Sequence, residues 1–264
     1  MGYRRFVAIG DSTTEGLDDP YPDGAYRGWA DRLAGALALL EPDLLYANLA
    51  VRGRRALEVH EQQLGPALSL EPDLATVVAG LNDTLRGDFD LDATAGHIDA
   101  MFTELRAAGA TVGTITFPDP RRVMFIARLA WPRLIALNQR IRESAERTGT
   151  IVVDLERLPV AGDPRLWSVD RLHANPEGHR RIADALAHRL GLPGAGLSWT
   201  DALPPASRKR PHEVVAAEAS WAARYFLPWL IRRARGRSSG DGILAKRPDL
   251  APIEPAWAEP DPLT

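Results

Sequence analysis

The chain has no cysteine, which excludes disulfides, thiolate metal sites and a cysteine nucleophile. Lysine is almost absent as well. Lys209 and Lys246 are the only two against a large arginine complement, a bias read here as belonging to the coding genome. Nowhere do about 18 apolar residues follow one another, so a membrane-spanning helix is excluded. The formal net charge of −3 gives no global pull toward nucleic acid, and no nucleic-acid partner is expected. The start, MGYRRFVAIGDS, enters its first apolar run with no long leader and no small-residue cleavage site, from which a cytoplasmic location is expected.

What is present is an ordinary globular composition: 264 residues, 45% hydrophobic and 25% charged, enough to bury a real core. Short apolar runs at 6–9, 44–51, 74–80, 111–117 and 150–155 read as strands. Between them lie helical patterns at 29–40, 56–70 (interrupted at Gly65 and Pro66), 91–108 and 134–147. A last helix has Asn175 as N-cap, Pro176 in its first position and Gly191 at its end. Regular alternation of strand and helix implies an α/β fold, a five-stranded parallel sheet between two helical layers. The segment 118–133 is too apolar for a simple turn and is expected to cover the core. The domain closes near 192. Residues 193–264 read as a proline- and glycine-rich linker, an amphipathic helix and an extended tail.

Ser12 sits just past the end of the first strand, at the sheet edge where ligands bind in open α/β folds. Two readings compete there. Ser12 followed by Glu15 fits a capping box that satisfies helix amides; alternatively the hydroxyl is a nucleophile, which needs a base and a group to orient that base. Such a pair occurs in DRLH, where Asp170 precedes His173 by three residues ahead of the last helix and can reach the Nδ1 side of the ring while Nε2 faces outward. An oxyanion also needs donors. Gly53, after the second strand, is a candidate through its backbone amide, and Asn82, after the third, through its side chain. Each also has a structural reading, as a backbone-geometry glycine and a turn-closing asparagine. Asp11 is read as a turn residue and His179 as packed within the last helix. His60, His97, His188 and His212 have no evident partners. No histidine–carboxylate set has metal-ligand spacing, so neither metal nor cofactor is expected.

In this pattern the sequence resembles the SGNH or GDSL hydrolases. GDSTTEG (10–16) is similar to their first block, NLAVRG ending in Gly53 to the second, GLND (80–83) to the third and DRLHANPEGH (170–179) to the fifth. The resemblance spans roughly residues 4 to 190. It implies a flavodoxin-like fold, Ser12 as nucleophile, His173 as base and Asp170 as its orienter. It also implies an oxyanion hole from the amides of Ser12 and Gly53 and the side chain of Asn82. The expected activity is hydrolysis of a small-molecule acyl ester through an acyl-enzyme, with lysophospholipids, thioesters and acetylated sugars as alternatives within the family. Two departures are Thr13, where leucine often follows GDS, and Ala174, where proline often follows the histidine and whose loss would loosen that loop. A phosphate- or nucleotide-binding module of the same topology is the alternative from another class; Glu15 and the distant DRLH speak against it.

The tail lies outside this resemblance. Val214, Trp221, Tyr225 and Trp229 recur at spacings of seven, four and four, with Ala222, Phe226 and Leu230 beside them and Arg224, Arg232, Arg233, Arg235 and Arg237 nearby. The stripe over 212–235 is expected to pack on the domain or on a second subunit, with peripheral membrane contact as the alternative.

Overall fold

The computed structural model describes residues 2–124, 127–128, 130–205, 210, 217–228, 231 and 238–255. Five parallel strands form the sheet's body: β1 (Arg5–Gly10), β2 (Leu45–Asn48), β3 (Leu74–Val78), β4 (Thr111–Ile115) and β5 (Ile151–Val153), in the order β5-β4-β3-β1-β2. β2 to β5 are each shorter than their apolar runs. Leu49, Ala50 and Val51 stay buried after β2 has ended, and Ala79 after β3, because hydrophobicity marks burial and not pairing. β1 lies between β2 and β3 with Phe6 to Ile9 fully buried, as a strand covered on both faces must be. The chain therefore changes direction across the sheet at β1, which opens a crevice at the carboxyl ends of β1 and β3.

The helices are α1 (Ser12–Glu15), α2 (Gly28–Leu40), α3 (Ala56–Val59), α4 (Gly65–Ser69), α5 (Leu81–Thr84), α6 (Leu91–Ala107), α7 (Trp131–Thr148) and α8 (Pro176–Arg189). α2 packs with α8, and α6 with α7 and α3, giving a helical layer on each face. Trp29, Phe6, Tyr46, Phe102 and Leu137 anchor the core. Asn175 caps α8, its side chain accepting from Gly178 N at 3.0 Å. In 118–133, Val123 and Ala127 are buried as core cover, while Phe125, Ile126 and Leu129 lie outside the described residues.

Three features differ from the sequence reading. The helix over 56–69 does not break at Gly65 and Pro66. It widens just before them into a π turn, His60–Leu64, since Pro66 has no N–H to close the preceding turn. That turn carries Gln63 inward, where it is buried. Secondly, 193–205 is docked and not free: Arg181 Nη1 donates to the carbonyls of Trp199 at 3.2 Å and Asp201 at 2.6 Å, and Arg165 donates to that of Pro204.

Thirdly, the tail does not merely extend. Arg247–Pro252 forms β6, antiparallel to β2 with a register shift between Tyr46 and Asn48, and the sheet has six strands. β6 covers the edge that β2 would otherwise expose. Just before it, the Lys246 ammonium reaches Asp31 Oδ1 at 2.7 Å and the carbonyls of Tyr26 at 2.9 Å and Arg27 at 2.7 Å. Its three hydrogens thus have three acceptors, a geometry suited to a compact ammonium. Asp31 also accepts from the hydroxyls of Tyr46 and Tyr21.

His179 is buried on α8, accepting from Trp29 N through Nδ1 at 3.1 Å and donating from Nε2 to Leu17 O at 2.9 Å. Both bonds require the neutral ring, and burial pushes its pKa down to about 4.

Lys246→Ala strands Asp31 without its cation and should lower unfolding stability by about 3 kcal/mol, read by chemical denaturation. The unfolded chain protonates His179 near 6.5 and the native chain only near 4. Its stabilisation is therefore complete above the first value and lost as pH falls to the second, a change on the order of 3 kcal/mol. The pH dependence of the difference between wild type and His179→Gln isolates it, since the opposing titration of Asp11 cancels.

Candidate active site

β1 ends at Gly10, whose α-carbon passes so close to Val78 O that a β-carbon would collide with it. Gly10 N donates to Gln63 Oε1 at 2.8 Å and Gln63 Nε2 donates back to Gly10 O at 2.9 Å, so one side-chain amide satisfies both backbone groups. The chain then turns into α1, and its N-cap is Asp11, whose carboxylate accepts from Thr13 N at 3.0 Å. The capping-box reading of Ser12 is thereby overturned. Asp11 fills the cap one residue earlier and leaves the Ser12 hydroxyl free to point elsewhere. Glu15 turns away from the helix start and accepts from Arg52 N at 2.7 Å and from the Arg52 guanidinium.

Ser12 Oγ lies 2.8 Å from His173 Nε2, and His173 Nδ1 lies 2.6 Å from Asp170 Oδ2. The other Asp170 oxygen accepts the amides of Leu172 at 2.9 Å and His173 at 3.1 Å, so the carboxylate organises its own loop. Ala174 does not loosen it: Trp167 and Ala174 form an antiparallel bridge, and Ser168 N donates to His173 O at 2.8 Å. Residues separated by 161 positions thus form one line of hydrogen bonds.

Burial disfavours charge on both partners, and their mutual contact outweighs it. Asp170 stays below the usual carboxylate range through the hydrogen bond and charge of His173 and the two loop amides. His173 is raised above the ordinary imidazole value by Asp170 first, then by the charges of Asp18 and Asp11. Asp18 stands 3.8 Å from His173 Nδ1 and was not legible as a site residue, because the loop DDPYPDG gives no spacing signal. Asp18, Asp170 and His173 are close enough to share a cation. In the arrangement observed, however, Nδ1 and Asp170 Oδ2 face each other as donor and acceptor.

Gly53 follows β2 in the left-handed region at φ 76°, on a loop fixed by the Glu15–Arg52 pair. Asn82 stands on α5, and its Nδ2 donates to Asp11 Oδ2 at 3.1 Å and to Arg54 O at 3.0 Å. Both of its hydrogens are engaged, which aims the amide between the β1 turn and the β2 loop. Burial drives the Asp11 carboxyl up to about 6, with the Thr13 amide and His173 partly opposing. Asp83 ties α5 to α3 by accepting from Ala56 N at 2.9 Å. All five candidate residues therefore gather at the carboxyl ends of the strands. Of the other histidines, His60 and His97 face each other, Nδ1 to Nδ1, at 3.0 Å, and His188 contacts Ala195 O; His212 lies outside the described residues.

The tail reaches this site. Trp221 Nε1 donates to Asp170 O at 3.0 Å, so this part of the stripe packs on the domain. Leu227 and Ile231 are exposed, and Val214, Trp229, Leu230 and Arg232, Arg233, Arg235 and Arg237 lie outside the described residues. Among the described residues no helix is long and apolar enough to cross a membrane.

The fold recurs in solved structures. A putative GDSL-like lipase from Parabacteroides merdae aligns with a TM-score of 0.62 at 18% identity, over 72% of this chain and 97% of its own. An acetylxylan esterase from Geobacillus stearothermophilus aligns at 0.61 and 17%, over 77% and 99%. The psychrotrophic esterase EstA from Pseudoalteromonas sp. aligns at 0.56 and 19%, over 71% and 97%. None of the curated proteins matches the chain significantly. The sequence profile of the GDSL-like lipase/acylhydrolase family matches residues 8–181, well over half of the chain. The protein belongs to that family and is a hydrolase acting on ester bonds.

Proposed function

We propose that the protein is a serine esterase in which Ser12 is the nucleophile, His173 the general base and Asp170 its orienter. The observation that carries this reading is the continuous Ser12–His173–Asp170 hydrogen-bond line. Ser12 Oγ bonds to the ester carbonyl carbon as its proton passes to Nε2, and the imidazolium that forms is stabilised by Asp170. Collapse of the tetrahedral intermediate breaks the carbon–oxygen bond, and Nε2 returns the proton to the leaving alcohol. Water then repeats the sequence on the acyl-enzyme, releasing the acid and restoring Ser12.

The oxyanion would be received by the amides of Ser12 and Gly53 and by Asn82. The Ser12 amide lies in the first turn of α1, where N–H groups have no partner within the helix. Asn82 takes part by sharing the hydrogen it gives to Asp11 or Arg54. The substrate is proposed to be a small acyl ester. An acetylated sugar belongs in the test panel, since acetylxylan esterases are among the structural neighbours.

Ser12→Ala and His173→Ala should each lower ester turnover by about a thousandfold or more, and the double variant should be little worse, because both disable one proton-coupled attack. Chromogenic acetyl to long-chain esters and acetylated sugars provide the assay, and near-normal turnover by a folded Ser12→Ala protein would overturn the assignment. The reaction needs neutral His173, so kcat/KM should rise with pH through a midpoint above the ordinary imidazole value. Asp18→Asn removes one of the charges holding that midpoint up and should move it to lower pH, with the high-pH plateau little changed.

A further inference from the structure

We infer that the C-terminal extension is a working part of the active site, with Trp221 a positioning residue that holds the loop carrying Asp170 and His173. The inference rests on the proposed roles of Ser12, His173 and Asp170. The loop needs holding. Arg171, between Asp170 and the rest of DRLH, has φ 64°, a left-handed conformation that a non-glycine residue keeps only when its surroundings enforce it.

The extension supplies the enforcement. The Arg171 guanidinium lies over the Trp221 ring at 4.7 Å and pairs with Glu218 at 2.7 Å. The Trp221 indole donates to the carbonyl of Asp170, the peptide immediately before Arg171, at 3.0 Å. Phe226 stacks against the Trp221 ring as well, with ring centroids 5.9 Å apart. The carbonyl before the left-handed residue and that residue's own side chain are therefore both gripped from one helical segment.

The same extension touches the opposite flank of the site. Ser238 Oγ sits against Gly53 where a β-carbon would be, and Gly240 packs as tightly on the carbonyl of Arg52. The turn is closed on itself, with Ser238 N donating to Asp241 and Gly240 N to Ser238 Oγ. Beyond it, Lys246 and β6 fasten the chain to α2 and β2. One segment thus contacts the base-bearing loop and the candidate oxyanion glycine. It lies wholly beyond residue 181, where the family match ends, and the acetylxylan esterase covers 77% of the chain while 99% of its own length is aligned.

The test uses full-length protein. Trp221→Phe keeps a six-membered aromatic ring for Arg171 and Phe226 and deletes the indole N–H together with the rest of the five-membered ring. It should lower kcat about tenfold with KM little changed and an unchanged melting temperature, as expected for loss of one hydrogen bond that orients the base. It should also shift the midpoint of the pH–rate profile and broaden the downfield proton resonance of the His173–Asp170 contact. Glu218→Gln, at a half-exposed position that does not threaten folding, should change rate and midpoint in the same direction by about threefold in rate. Should Trp221→Phe fail to fold, Glu218→Gln decides. Wild-type kcat, pH midpoint and proton signal in these variants, with Ser12→Ala inactive, would reduce the extension to mere packing and leave the proposed function standing. Activity in Ser12→Ala would instead remove the reading on which the inference rests.

Discussion

Gly10, the last residue of β1, is buried beside Val78 of β3 and accepts from Val51 N at 3.2 Å, and leaving its amide unpaired there would cost more than any single contact nearby returns. The Gln63 side chain meets both groups at once, accepting from the amide and donating to the carbonyl. Everything at the site follows from that turn being rigid. Asp11 can cap α1, Ser12 can project toward the α8 side, and Asn82 can span from Asp11 to the β2 loop. The π turn that delivers Gln63 is thus part of the support of the nucleophile, although it lies on a different helix.

Carboxylates surround the imidazole in graded environments. Asp170 is held ionised by amides and by His173 itself, Asp11 is buried and drawn up toward neutrality, and Asp18 stands 3.8 Å from Nδ1. A ring among negative groups favours the imidazolium, the state the transition state requires. The same field keeps the resting ring protonated to higher pH than a free imidazole. His179, six residues further along the chain on α8, is the opposite case: it is dry, neutral and clamped between two backbone groups, and so is structural.

The extension links sheet edge and site. Lys246 is one of only two lysines in an arginine-rich chain, and it occupies a place where three acceptors converge on a point. A planar guanidinium would not meet that geometry. Composition had suggested only a genomic preference. Burial of the ammonium shows a chemical reason for the exception.

The local sequence determined the elements and their order: apolar runs too short for helices, caps such as Asn175 and Pro176, and periodic faces such as Ile98, Met101, Phe102 and Leu105 are all properties of neighbouring residues. It also determined the five candidate residues, since GDS, NLAVRG, GLND and DRLH each carry their chemistry within a few positions. Tertiary structure decided what depends on contacts across the chain. Capping passed to Asp11 because Glu15 found Arg52, 37 residues away. Asp18 became a neighbour of His173 only when the loop after α1 folded back, and Gln63 became structural only when a π turn rotated it inward. The pairing of β6 with β2 and the grip of Trp221 on Asp170 were likewise invisible, because an amphipathic stripe specifies that something will cover it and not what.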